Sequence, residues 1–135
     1  MINLSIGDKL TSLEKIITQE QIRLYADASG DYNLLHTDPE FAATTQFGGI
    51  IAHGMMTLAF IYEMLTMAFD SDWVETGKLK ARFKNAARPG QKVTTWGQII
   101  RDNMVDGYRN VECAVGLNNS VGDDIITGKA SLRLG

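Results

Sequence analysis

One short polar stretch carries the side chains of this sequence that are best suited to acid–base chemistry. Asp31 and His36 lie five residues apart, with Asn33 between them, in the run Ser29-Gly-Asp-Tyr-Asn-Leu-Leu-His-Thr-Asp38. A carboxylate and an imidazole held by one bent loop can share a water molecule, because one group takes its proton while the other donates a proton to a substrate. The spacing therefore predicts a general acid–base site.

A second candidate segment, Ala52-His53-Gly54-Met55, lies at the start of a long apolar run. The first N–H groups of a helix have no partner within that helix, so they can stabilise a developing oxyanion. Gly54 has no side chain and lets a substrate approach these groups closely. We interpret His53 as a structural residue that orients the loop before the helix.

These residues also have structural interpretations. Asp31 could close a Gly-Asp turn, His36 could be a hydrogen-bonded core histidine, and capping of a helix at Pro39 explains Asp38. Because both histidines of the chain flank the loops that would form a pocket, we favour a functional role for the pair Asp31 and His36.

A metal site is the less favoured alternative. His36-Thr37-Asp38 followed by His53 imitates the His-x-Asp…His triad of non-haem iron oxygenases. However, His53 follows His36 by only 17 residues, Asp38 is used by the helix start, and the flanking strands that such a site needs are absent. We therefore predict no metal and no cofactor.

Composition limits the class of protein. The 135 residues are 44% hydrophobic and 21% charged, which is typical of one globular domain. The net charge of −3 and the scattered basic residues argue against nucleic acid as a partner.

Cys113 is the single cysteine, so no internal disulfide forms, and we interpret it as a small buried hydrophobe. The first residues lack a basic region followed by an apolar core, so we expect a cytoplasmic location.

The sequence divides near residue 75 into a helical half and a strand half. In the first half we predict a strand over 10–17, a helix from the Thr18/Gln21 capping box to Gly30, irregular backbone over 31–36, and a short helix with Phe41 and Ala42 on its inner face. In the second half we predict strands over 78–84, 92–101, 111–117 and 125–134. These elements indicate an α+β arrangement, an antiparallel sheet wrapped around the long helix.

Residues 50–69 form an apolar run with the length of a membrane span. Glu63 lies within it, and Asp70 and Asp72 follow without a basic flank, so we predict a buried helix and no membrane partner. Its four methionines, Met55, Met56, Met64 and Met67, are predicted to fill the core; lining of an acyl tunnel stays open as an alternative.

The motifs resemble those of a known family. They are Tyr25-Ala-Asp-Ala-Ser-Gly-Asp-Tyr-Asn-Leu-Leu-His-Thr-Asp38, Phe41-Ala42 and Phe47-Gly-Gly-Ile-Ile-Ala-His-Gly-Met55. This pattern resembles the MaoC-like dehydratases, which include the (R)-specific enoyl-CoA hydratases, over nearly the whole chain. The resemblance implies one domain over residues 1–135 with the hotdog fold, a curved antiparallel β-sheet around a long central α-helix. It also implies a homodimer or a dimer of dimers.

The resemblance assigns roles by position. The catalytic Asp and His of the family fall on Asp31 and His36, and the oxyanion-stabilising N–H falls on Gly54. Asn33 falls on the motif asparagine that supports the loop, and we group Ser29 and His53 with it as loop-supporting or substrate-binding residues. Leu34 departs from the pattern, because the family usually has a proline there that stiffens the loop.

The implied activity is reversible hydration of trans-2-enoyl-CoA to (R)-3-hydroxyacyl-CoA. The alternatives are a hotdog acyl-CoA thioesterase and, less favoured, a non-catalytic acyl-thioester-binding module. The acyl group would be carried by coenzyme A or by an acyl carrier protein. Arg82, Lys84 and Arg88 are candidates, by residue type only, for contacts with the phosphates of coenzyme A.

Overall fold

The computed structural model describes residues 4–135 and separates helices from strands largely as predicted. The helices are α1 (Gln19–Ser29), α2 (Leu34–Thr37), α3 (Pro39–Ala43), α4 (Gly54–Phe69) and α5 (Ser71–Thr76). The strands are β1 (Glu14–Ile16), β2 (Lys78–Phe83), β3 (Lys92–Val105), β4 (Tyr108–Asn119) and β5 (Asp124–Leu134).

The five strands form one antiparallel sheet in the order β1-β3-β4-β5-β2. Alternate residues of β4 are fully buried and face the core, namely Val111, Cys113, Val115 and Leu117, which confirms the predicted period of two. β2 follows the helices in the chain, pairs with β5 and is an edge strand of the sheet.

Helix α4 packs against β3 and β4. Ile61, Met64 and Leu65 are buried in the same core cluster as the inward residues of the sheet. At Gly97 of β3 an added Cβ would lie 3.1 Å from the Met64 methyl carbon, so the helix and the strand are in direct contact there. The predicted sheet around a long helix is confirmed.

The start of α4 differs from the prediction. Residues 50–53 are not helical, because their backbone groups bind other parts of the chain: Ala52 N–H donates to the Ala87 carbonyl at 2.7 Å, and the Ile51 carbonyl accepts from His36. Of the methionines on α4, Met56 and Met64 are buried, whereas Met55 and Met67 are exposed, so the core-filling prediction was wrong for the latter two. Within residues 4–135, no helix is long and apolar enough to cross a bilayer.

Helix α1 begins and ends as predicted. Thr18 Oγ1 accepts from Gln21 N–H at 3.1 Å and Thr18 N–H donates to Gln21 Oε1 at 3.4 Å, which completes the capping box. Gly30 ends the helix with φ of 77°, a left-handed conformation that glycine adopts at little cost.

Other boundaries were wrong. The strand predicted over 10–17 is reduced to Glu14–Ile16, and an isolated bridge pairs Lys9, which precedes that range, with Gln98. Helix α2 lies where irregular backbone was predicted over 31–36, because Asn33 caps it. Helix α5 was not predicted. β3 and β4 extend beyond the predicted ranges 92–101 and 111–117 and together form a longer hairpin. Phe41 was expected to face inward but is 43% exposed.

Candidate active site

The loop after α1 is fixed by a chain of side-chain-to-backbone hydrogen bonds. Ser29 Oγ accepts from Asp31 N–H at 3.2 Å, and Asp31 Oδ1 accepts from Asn33 N–H at 3.2 Å. Asn33 Oδ1 then accepts from Leu35 N–H at 2.9 Å and caps α2. Bonds of this kind are the reason that Ser, Asp and Asn favour tight turns. They hold the backbone on both sides of the exposed Asp31 carboxylate.

Leu34 is the first residue of α2, the position at which proline is favoured in helices. The helix forms without proline because the Asn33 cap satisfies a free amide. The departure from the family pattern therefore leaves the local helix intact.

His36 lies in α2 and is buried, with 9% of its surface exposed. Its Nδ1 lies 2.7 Å from the Ile51 carbonyl oxygen. Since a carbonyl only accepts, Nδ1 carries the proton of this bond. In the neutral ring Nε2 is then unprotonated and available as a proton acceptor.

His53 connects the loop to α4. It is the residue before the helix, it is 2% exposed, and its Nε2–H donates to the Asp31 main-chain carbonyl at 3.0 Å. Its ring stacks on the His36 ring with the centroids 3.9 Å apart and lies 4.8 Å from the Tyr25 ring. Nδ1 of His53 has no hydrogen-bond partner within the described part of the chain.

The structure thus brings Asp31, His36 and His53 together, with one side-chain atom of each within 4.8 Å of the others. Two histidines and a carboxylate are a donor set that transition metals accept. Nδ1 of His36 and Nε2 of His53 already donate to the Ile51 and Asp31 carbonyls, however, so only Nε2 of His36 and Nδ1 of His53 remain as possible ligands. Asp38, the carboxylate of the iron-site alternative, instead accepts from the Glu40 and Phe41 amides.

Gly54 is the first residue of α4, and the His53 side chain does not cap the helix. Among residues 4–135 the Gly54 and Met55 amides have no hydrogen-bond acceptor and are available to an anionic oxygen, whereas the Met56 amide donates to the His53 carbonyl at 3.1 Å. A Cβ at Gly54 would lie 3.0 Å from Cε1 of Phe83, the last residue of β2. A side chain at this position would therefore be tight against the Phe83 ring, which would have to shift by a few tenths of an ångström to admit it.

Two cavities meet at this point. The cavity that we call the polar cavity has a volume of about 390 Å³ and is lined by Tyr25, Ser29, Asp31, His53, Gly54, Met55 and Phe83. The second, which we call the apolar cavity, has a volume of about 250 Å³ and is lined by Phe47, Ile51, Ala52, Gly54, Thr57, Phe83, Lys84, Asn85, Ala86, Ala87 and Ile125. A larger cavity of about 490 Å³ lies between α5 and the sheet, and none of the predicted site residues lines it.

Three features of this site were missing from the sequence analysis. The Ile51 carbonyl has no sequence signal, because any residue supplies a carbonyl. Phe83 is the aromatic residue that ends β2. An aromatic at such a position is also typical of an ordinary inward-facing residue, so the sequence does not single it out. Arg88, a candidate for phosphate contacts, donates from Nη2 to the Phe47 carbonyl and so holds the chain beside the apolar cavity.

A family model described as a MaoC like domain matches residues 3–121. The chain belongs to the MaoC-like family. The expected hotdog fold of this MaoC-like domain is also confirmed by a solved structure, the "(R)-hydratase from A. caviae involved in PHA biosynthesis", with a TM-score of 0.82, 25% identity and coverage of 98% of both chains.

Curated relatives of the MaoC-like domain carry related names. The 3-hydroxyacyl-thioester dehydratase Z of Mycobacterium tuberculosis is 39% identical over 99 residues, which cover 70% of this chain and 66% of that protein. Peroxisomal enoyl-CoA hydratase 2 of Arabidopsis thaliana is 37% identical over 87 residues, 64% of this chain and 28% of that protein. The MaoC-like chain therefore spans slightly less than two thirds of the first of these relatives and under a third of the second.

Proposed function

We propose that this MaoC-like domain catalyses the reversible hydration of trans-2-enoyl thioesters to 3-hydroxyacyl thioesters. The observation that carries the proposal is the grouping of Asp31, His36 and His53 within 4.8 Å beside the open amides at the start of α4. Addition of water to a conjugated thioester requires an acid–base group close to an oxyanion-binding group. Asp31 and Gly54 both line the polar cavity, and His36, which is not among its lining residues, stacks on His53, which is. The names of the M. tuberculosis and A. thaliana relatives support the same class of reaction.

In the proposed mechanism one water molecule lies between the Asp31 carboxylate and Nε2 of His36. Nε2 of His36 takes one proton from the water while the Asp31 carboxylate holds the molecule, the water oxygen bonds to C3 of the acyl group, and the C2=C3 π electrons move onto C2 and the thioester oxygen. The proton on Nε2 is then delivered to C2 on the same face, which returns the ring to its neutral form. Negative charge that develops on the thioester oxygen is stabilised by the Gly54 amide. Dehydration follows the same steps in reverse. By family resemblance the product has the (R) configuration.

His53 acts as a positioning residue in this proposal. Its hydrogen bond to the Asp31 carbonyl and its stacking on His36 place the two reacting groups relative to each other. A static contact of this kind matters because small misplacements of reacting groups lower rates strongly.

The proposed substrate is a thioester of coenzyme A or of an acyl carrier protein. We also propose a homodimer or a dimer of dimers, because one side of the edge strand β2 pairs with no strand among residues 4–135 and offers its backbone groups to a second copy. Arg82 and Lys84 are exposed at the end of β2 and remain candidates for phosphate contacts. The cytoplasmic location stays a prediction.

The test follows crotonyl-CoA with the wild-type protein by two parallel assays. We expect loss of the absorbance of the conjugated enoyl thioester without release of free thiol, and (R)-3-hydroxybutyryl-CoA as the product. Release of thiol at the rate of absorbance loss would instead indicate a thioesterase. Saturable binding without turnover across a panel of enoyl thioesters would indicate a binding module.

A further inference from the structure

The ring of Phe83 is covered by protein on one part and open to solvent on another. It ends an edge strand and is 54% exposed to solvent, although phenylalanine gains free energy from burial. Its Cε1 and Cζ atoms nevertheless lie 3.0 and 3.3 Å from the point at which a Gly54 Cβ would be. One part of the ring thus covers the start of α4 while another part is open to water.

The two cavities share only two lining residues, Gly54 and Phe83. The polar cavity contains Asp31 and His53 on one side of this pair. The apolar cavity lies on the other side and includes Ile51, Thr57 and Ala87. The Phe83 side chain and the Gly54 backbone are therefore the boundary between the two cavities.

This boundary lies where the acyl group must extend. If the thioester oxygen binds the Gly54 amide, C2 and C3 face Asp31 in the polar cavity, as in the proposed function on which this inference rests. A four-carbon acyl group has one carbon beyond C3, so we expect it to end within that cavity. Additional methylene groups gain affinity only by entering an apolar space, and the neighbouring apolar cavity is the space that adjoins Gly54.

We propose that Phe83 is a gate between the polar and apolar cavities and determines the acyl chain length that the protein accepts. In the observed position the ring restricts the passage beside Gly54, so short acyl groups are favoured. A longer acyl chain must displace the ring toward solvent. The ring can move in this direction because more than half of its surface is already free of protein contacts.

The test measures the ratio of kcat/KM for an eight-carbon over a four-carbon trans-2-enoyl-CoA in wild type and in Phe83→Ala. Removal of the ring joins the cavities, and full burial adds a factor of about four in affinity for each methylene. We expect the ratio to rise at least tenfold. Phe83→Tyr is the matched control, because it keeps the ring and should keep the wild-type ratio. Ala86→Leu added to Phe83→Ala should lower the ratio again by filling the apolar cavity.

A binding measurement separates this inference from the proposed reaction. Butyryl-CoA and octanoyl-CoA are saturated, so neither can be hydrated, and calorimetry reports their affinities whether or not the protein is an enzyme. We expect Phe83→Ala to increase the preference for octanoyl-CoA at least tenfold, with thermal unfolding showing that the variant is folded. A preference unchanged within twofold, or no binding of either thioester to the wild type, would overturn the gate. Absence of hydration together with the expected binding shift would overturn the reaction and support the gate.

Discussion

The two histidines form different hydrogen bonds although their ring centroids lie only 3.9 Å apart. His36 donates from Nδ1 to the Ile51 carbonyl, which leaves Nε2 of the neutral ring unprotonated, as the proposed mechanism requires. His53 donates from Nε2 to the Asp31 carbonyl, which holds the loop that carries the carboxylate. Each bond selects one tautomer, as the partners of functional histidines commonly do.

His53→Phe tests the positioning role, because it keeps a stacked ring and removes the bond to Asp31. We expect kcat for hydration to fall about 10- to 100-fold through misplacement of the acid–base pair, while KM changes little. Steady-state kinetics beside thermal unfolding measures this. A variant as active as wild type would show that the hydrogen bond has no part in positioning.

The buried thiol of Cys113 leads to a second prediction at the scale of one residue, on how stability depends on pH. Burial raises the pKa of its thiol from 9.0 to about 11. Between these two pH values the unfolded chain releases the thiol proton and the native protein retains it, so the free energy of unfolding decreases as the pH rises. We expect this decrease to be steeper in wild type than in Cys113→Ala, measured by urea unfolding from pH 8 to 11.

The raised pKa of the Cys113 thiol also governs its reactivity. The thiolate is the reactive form, so a thiol reagent at pH 8 should leave native Cys113 unmodified and label it after denaturation. Rapid labelling of the native protein would contradict the buried, neutral thiol.

At the scale of elements, the close pairing of β2 with β5 depends on a glycine. A Cβ at Gly128 would lie 2.5 Å from the Lys80 carbonyl oxygen and 3.2 Å from the Ala81 Cα. Both neighbours are backbone atoms, so the strand itself must move to admit a side chain. β2 also brings Phe83 to the start of α4, so the position of β2 affects both cavities.

We therefore expect Gly128→Ala to lower the free energy of unfolding by about 1–3 kcal/mol, the usual cost of overpacking, measured by urea denaturation. Gly49→Ala is the matched control, because its nearest neighbour is Arg88 Nη1 at 3.4 Å, an ordinary contact. The control should stay within about 0.5 kcal/mol of wild type. Equal stability of the two variants would contradict the close approach of β2 and β5.

Local signals predicted the elements that local interactions determine. The capping box and Gly30 gave both ends of α1, and the alternation of Val111 to Leu117 gave the inward face of β4. The start of α4 was missed because Ala52 and Ile51 bind Ala87 and His36, partners distant in sequence. The proximity of Asp31 and His36 could be predicted from their spacing in the sequence, whereas the Phe83 boundary depends on how β2 returns to α4.

At the scale of the whole molecule, β2 lies at one end of the strand order, and its outer side pairs with no strand among residues 4–135. An unpaired edge can pair with a second copy of the chain. We expect light scattering after size exclusion to give a mass of at least about twice the 14.9 kDa of the chain. A mass of 14.9 kDa at micromolar concentration would contradict the proposed dimer.

The central claim is that Asp31 and His36 activate one water molecule for addition to an enoyl thioester. The most direct test compares kcat for crotonyl-CoA hydration in wild type and in Asp31→Asn, a change that keeps the shape of the side chain and removes its charge. The proposed mechanism predicts a fall of about 10²–10⁴-fold in a variant that unfolds at the wild-type temperature. Hydration at the wild-type rate by Asp31→Asn would contradict the mechanism.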